Sequence, residues 1–164
     1  MKINWPGAYE PSRTRVHVSN RLAMKAPISA VWSWLVRGQR WPEWYSNSSN
    51  VVFLSGEGPD LALGTRFKWK TFGVAIESKV EEFLPPERIA WSAHGIGVDA
   101  YHAWALEETS EGCNVLTEET QNGWVASLGN LLMPNRMHRF HQLWLESLER
   151  QALLDQAKSG PPSE

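Results

Sequence analysis

Apolar residues alternate with polar ones from Arg15 to Ala26. Val16, Val18, Leu22 and Met24 share one parity, broken only by Asn20, while Arg15, His17, Arg21 and Lys25 share the other. A period of two predicts a strand with one buried face. Pro27 then suits the first position of a helix. Ile28, Val31, Trp32 and Leu35 follow at helical spacing until Gly38. Trp41-Pro42-Glu43-Trp44-Tyr45 opens a second short helical segment.

From Asn50 to Asn122 the pattern is β throughout: Val51–Leu54, Arg66–Thr71, Val74–Leu84, a segment through Ile89, Trp91 and Ala93, Tyr101–Glu107 and Val115–Gln121. Pro85-Pro86, Gly95, Gly97 and Ser110-Glu111-Gly112 punctuate it as turns. Arg66, Lys68 and Lys70 form a basic row opposite Phe67 and Trp69, set to pair with Glu77 and Glu81 on the next strand. Trp124 to Met133 reads as a short helical piece, and Pro134 restarts the helix. Asn135 to Ala157 carries one apolar stripe of Met137, Phe140, His141, Trp144, Leu148 and Ala152.

The order is therefore strand, two short helices, six strands, long helix. Sequential strands joined by short turns make an antiparallel meander. Its apolar face needs a cover, and only the last helix, about 34 Å long, can supply one. One helix cannot fill the concavity of a strongly curved seven-stranded sheet, so an internal cavity is expected, closed at one end by the short helices. Residues 1–13 lack periodicity and read as an extension laid over the surface or frayed. Residues 14–157 form a single α+β domain. Residues 158–164 form a polar tail with two prolines, expected to be disordered.

With 164 residues the chain holds one core. Its formal charge of −2, from 16 Lys+Arg against 18 Asp+Glu, leaves no electrostatic footprint for nucleic acid. No run approaches the length of an integral membrane segment, and Met1–Thr14 lacks a signal-peptide core, which points to a cytoplasmic protein. The lone Cys113 excludes an intrachain disulfide and a multi-cysteine metal site, and reads as an incidental exposed thiol in a turn. The unusual feature is 10 Trp, whose indoles must be buried or must line something.

The element order resembles the START/polyketide-cyclase superfamily (SRPBCC). So do Ala26-Pro27-Ile28-Ser29-Ala30-Val31-Trp32, Trp41-Pro42-Glu43-Trp44, Pro85-Pro86-Glu87-Arg88-Ile89-Ala90-Trp91 and the Gly123 before the last helical region. The resemblance spans about residues 14 to 155 and implies the helix-grip fold of the birch pollen allergen. It leaves the ligand open, because these motifs are core and turn residues, and superfamily members include lipid carriers, hormone receptors and aromatase/cyclases.

Six aromatics are expected by parity or stripe to face the cavity and would suit a flat apolar ligand: Phe67, Trp69, Trp91, Trp104, Phe140 and Trp144. Each of them is also an ordinary core residue by type. Among polar candidates, His102 shares the parity of Trp104 and Leu106, and His141 lies on the stripe of Met137 and Trp144. Glu118 shares the parity of Leu116 and Thr120, Glu119 that of Val115, Thr117 and Gln121, and Glu118 is favoured inward. His102, His141 and Glu118 are the candidate catalytic residues: an imidazole and a carboxylate together could act as base and acid for an enolisation or dehydration. Alternatively each histidine is a satisfied core residue.

His138 and His141 at i, i+3 are rejected as a metal pair, since no third ligand stands at a recognisable spacing and Arg136 and Arg139 flank them. No metal and no cofactor is expected. The leading expectation is a carrier or sensor of a small hydrophobic, aromatic or lipid-like molecule. A cyclase/dehydratase-type enzyme and a protein-interaction domain stand as alternatives. Oligomeric state is left open. Two segments are candidates for the way in, Ser55–Leu63 and Gly123–Pro134, because each combines glycine with apolar residues.

Overall fold

The computed structural model describes residues 1–56 and 58–159. Strand β1 (Val16–Met24) is followed by the short helices α1 (Ile28–Val36) and α2 (Trp41–Trp44). Six strands come next: β2 (Ser49–Ser55), β3 (Arg66–Thr71), β4 (Val74–Leu84), β5 (Arg88–Gly95), β6 (Val98–Thr109) and β7 (Gly112–Asn122). Helices α3 (Trp124–Leu132) and α4 (Arg136–Ser159) end the described chain. All strand pairs are antiparallel in the order β1-β7-β6-β5-β4-β3-β2. The two short helices thus carry the chain across to the far edge, and the meander returns until β7 closes on β1. A register shift between Val80 and Glu82 and two more in β2 add local bend, which is how a sheet curves around a helix.

The α4 helix is continuous, as its stripe requires, and buries Trp144, Leu145, Leu148 and Ala152 against α1 and the sheet. It runs to Ser159, two residues beyond the expected end; the remainder of the expected tail lies outside the described residues. Asn20, the polar interruption of β1, has a physical reason. Its amide donates to the His138 carbonyl (3.1 Å) and to Gln142 Oε1 (3.2 Å), tying β1 to α4. The core is aromatic: Trp41 sits among Phe67, Trp69, Trp91 and Trp144, with ring centroids 5.2–5.8 Å away, and its indole donates to the Leu35 carbonyl at 2.9 Å. The basic row on β3 faces outward and pairs across the ladder, Arg66 and Lys68 both meeting Glu77.

The first 13 residues are laid over the convex face of the sheet. Ile3, Trp5 and Tyr9 cover Tyr101, Ala103, Ala105 and Leu116 in a second small core. Tyr9 donates to Asp99 at 2.6 Å, and Thr120 Oγ1 donates to the Tyr9 carbonyl at 2.9 Å. The centre of the sheet is therefore buried on both faces. Cys113, expected to be an exposed thiol in a turn, instead lies inside β7 and is buried, because its side chain points to the concave side beneath α1 and α4.

Candidate functional site

Between the concave face, α3 and the start of α4 lies a cavity of about 240 Å³. Its apolar wall comes from Trp69 on β3, Ile76 on β4, Trp91 on β5, Trp144 on α4, Tyr45 after α2, and Phe72 in the β3–β4 turn. Tyr45 is held flat against Trp144, with centroids 4.4 Å apart and planes at 11°.

The polar part is one cluster. The β6–β7 register sets His102 directly opposite Glu119, and α4 brings His141 over both. His102 Nδ1 and His141 Nε2 each lie 3.1 Å from the same oxygen, Glu119 Oε2. The imidazoles lie nearly parallel, centroids 4.8 Å apart. Gln121 Nε2 donates to the other carboxylate oxygen, Oε1, and His102 Nε2 meets Thr117 Oγ1 at 2.8 Å.

A carboxylate only accepts, so this arrangement assigns protons to His102 Nδ1 and His141 Nε2. Thr117 then donates to His102 Nε2. His141 Nδ1 is left as a lone pair with no partner among the described residues, as are the indole N–H groups of the wall residues Trp91 and Trp144. Burial pushes the His102 pKa down, against the upward pull of Glu119, so the ring is neutral near physiological pH. Burial alone would raise the Glu119 carboxyl. The two imidazoles outweigh it and hold the group well below the usual carboxylate range, so it stays ionised.

His102 and His141, singled out by parity and stripe, are thus brought together. Glu118 is not. It lies on the convex face 3.8 Å from His17, and Glu119 takes the inward place. The parity argument leaned on Leu116, which shares the face of Glu118 and is buried. Its burial comes from the N-terminal extension, not from the cavity. Of the six aromatics, Trp69, Trp91 and Trp144 line the cavity. Phe67 and Trp104 are buried in the aromatic core behind it, and Phe140 faces a shallow groove along α4, half-buried beside Phe72. Tyr45, Phe72, Gln121 and Arg136 are wall residues that the sequence reading missed. The Arg136 guanidinium rests over the Phe72 ring, 5.3 Å from its centroid.

Of the two segments considered as a way in, α3 lines the cavity with Val125, Gly129 and Met133. It presents Trp124, Leu131 and Leu132 outward, all more than 60% exposed. No described residue of Ser55–Leu63 reaches the cavity, and Leu61 is instead buried against Gly38.

A curved seven-stranded antiparallel sheet closed by one long helix over a cavity defines the helix-grip class. Within that class, the chain belongs to the family described as polyketide cyclase / dehydrase and lipid transport, which it matches over residues 15–152. No curated protein matches it. Among solved structures it is similar to the hypothetical protein jhp0584 from Helicobacter pylori, with 31% identity over 93% of this chain and 96% of that one, TM-score 0.85. It also shares its fold with the di-domain ARO/CYC StfQ from the steffimycin biosynthetic pathway: 15% identity, 87% of this chain and 52% of that one, TM-score 0.69. A third relative in fold is Ara h 8.0201, at 12% identity, 84% and 97% coverage and TM-score 0.63. Among the described residues no helix is long and apolar enough to cross a membrane.

Proposed function

We propose that the protein binds a small, flat, mostly apolar molecule bearing one oxygen function, held in the cavity with that oxygen at the His102–Glu119–His141 end. The observation that carries this reading is an aromatic wall that ends in a single polar cluster, Trp69, Trp91 and Trp144 lining the cavity together with His102, Glu119 and His141. The Trp91 and Trp144 N–H groups and His141 Nδ1 have no partner among the described residues, but each is fully buried, so a ligand would have to shift a ring to meet them. A ligand oxygen or hydroxyl that hydrogen-bonds to the polar cluster would gain about 0.5–1.5 kcal/mol, and about 1.5–3 kcal/mol where its partner is charged. Size narrows the class. Sites for drug-sized molecules run to about 300–1,000 Å³, so 240 Å³ favours one or two rings over a tetracycle or a full lipid chain. The α3 segment is the natural way in, since its exposed leucines and Trp124 would suit a greasy molecule.

A second reading, an enzyme of the cyclase/dehydratase kind, is favoured by one feature: an imidazole whose Nε2–H is fixed by a carboxylate while its Nδ1 has no partner among the described residues. That is the arrangement of an oriented general base. His141 would take a proton from carbon beside a ligand carbonyl, and Glu119 would stabilise the imidazolium that forms.

The test is titration of the tryptophan fluorescence with 1-naphthol, naphthalene and a long-chain fatty acid. Naphthol should bind at least about tenfold more tightly than naphthalene, one hydrogen bond being worth about that factor, and the fatty acid should bind weakly. His102→Phe should remain folded and lose the preference for naphthol. Equal binding of naphthol and naphthalene, or no binding of either, sinks the reading; consumption of a bound carbonyl compound would move it from carrier to enzyme.

A further inference from the structure

Glu119 is a buried carboxylate whose neighbours carry no fixed positive charge. Among the described residues no lysine or arginine stands within ion-pair distance of it, and its partners are two imidazoles and an amide. The donor set of this cluster points to a metal ion. His102, Glu119 and His141 each offer one ligand atom, and these three atoms lie within 4.8 Å of one another.

Around a zinc ion, metal–nitrogen bonds of about 2.0–2.1 Å and metal–oxygen bonds of about 2.0–2.2 Å put neighbouring ligand atoms a little over 3 Å apart. His102 Nδ1 and His141 Nε2 both stand 3.1 Å from Glu119 Oε2, and the three atoms, now within 4.8 Å of one another, would draw together to that spacing around an ion. We infer that His102 Nδ1, His141 Nε2 and Glu119 Oε2 form a binding site for a divalent first-row transition metal ion, with its remaining coordination positions open to the cavity.

The surroundings suit this role. A metal-bound imidazole normally gives its other N–H to a fixed acceptor. His102 has Thr117 Oγ1 at 2.8 Å for that purpose. The non-ligating oxygen of Glu119 is held by Gln121. His141 Nδ1 has no partner among the described residues. Two imidazoles and one carboxylate select zinc, iron(II) or cobalt(II) over magnesium and calcium, which favour all-oxygen sites. His138, considered and rejected from sequence as the partner of His141, is exposed and takes no part. The ion would bind the oxygen function of the ligand proposed above. The inference borrows from that reading only the location of the polar end, and metal alone is the probe, so the two can fail separately.

The experiment uses the full chain, free of any affinity tag and stripped with a chelator, titrated with cobalt(II) and, in competition with a chromophoric chelator, with zinc(II). Expected are ligand-field bands of four- or five-coordinate cobalt, one ion per chain, micromolar or tighter zinc affinity, and a raised melting temperature with zinc. Glu119→Gln should abolish the bands. Thr117→Val, which touches the ion only through His102, should weaken zinc binding about tenfold or more. His138→Ala should change nothing. If Glu119→Gln fails to fold, Thr117→Val against His138→Ala decides. Absence of stoichiometric binding by the wild-type chain overturns the inference. So does a thiolate-to-cobalt band assigning the ion to Cys113, affinity lost with His138→Ala, or affinity unmoved by Thr117→Val.

Discussion

Trp41 lines no part of the cavity, yet it stands directly behind three residues that do: Trp69, Trp91 and Trp144. It is fully buried, and its indole N–H satisfies the Leu35 carbonyl at the end of α1. Trp41→Ala removes that bond and the whole ring, a change that costs about 3–5 kcal/mol in a packed core. Trp41→Phe keeps much of the volume but leaves the carbonyl without its donor, for about 1–3 kcal/mol. In a domain of this size each kcal/mol moves the melting temperature by about 2–4 °C. Trp41→Ala should therefore melt about 6–20 °C lower, and Trp41→Phe about 2–12 °C lower. Urea unfolding monitored by far-ultraviolet circular dichroism would give the same differences, with unchanged slope if the denatured state is unaffected. Both variants should also bind cavity ligands more weakly, Trp41→Ala more so, because the wall loses its backing. If Trp41→Ala cost less than about 1 kcal/mol, the aromatic cluster would not be a mutually supporting core, and the rigidity ascribed to the cavity wall would have no basis.

Three further outcomes are expected. Gly123 has φ 99° and a Cβ there would stand 2.4 Å from the Gly97 carbonyl oxygen, so Gly123→Ala should cost about 2 kcal/mol or more and speed amide exchange in α3; unchanged exchange would show that α3 does not depend on this junction. Burial pushes the Cys113 thiol up to about 11, so alkylation of the native chain at pH 8 should be far slower than of the unfolded chain. Since the folded pKa lies above the unfolded one, the thiol contributes stability that is full below about pH 9 and is lost as pH rises toward 11; Cys113→Ala should flatten that alkaline decline, and a parallel decline in both proteins would count against it. Removal of residues 2–13 should uncover Tyr101 and Leu116, lower the melting temperature and create binding of a hydrophobic dye such as ANS; an unaltered melt would mean the extension is a passive covering.

The strand order, the two short helices and the long helix were legible because each has a clean period and a proline or glycine at its boundary. His102 and His141 were legible for a related reason: each is a polar residue on an apolar face, and such a residue has a cause. The acidic member of the cluster was misread because Leu116 and Thr120 made the face of Glu118 look like the interior. What buries that face is a segment with no periodicity, whose Ile3, Trp5 and Tyr9 gave no sign of where they would settle. The choice among aromatics failed in a different way. Parity tells which side of a sheet a ring is on, but not how far along the strand the packed core gives way to empty space. Phe67 and Trp69 share a face of β3, yet only Trp69 reaches the cavity.

The close set of indoles has a consequence for how the molecule interacts with light. Trp41 lies 5.2 Å from Trp144 and 5.3 Å from Trp69, with planes at 78° and 66°. The transition dipoles lie in the ring planes, so rings that near act as coupled oscillators, and such coupling gives paired dichroic bands of opposite sign. The sign and splitting depend on the mutual angles of the rings. Any molecule that pushes Trp144 or Trp91 aside by a few degrees would rewrite that spectrum, so the chain reports the filling of its own interior without a label.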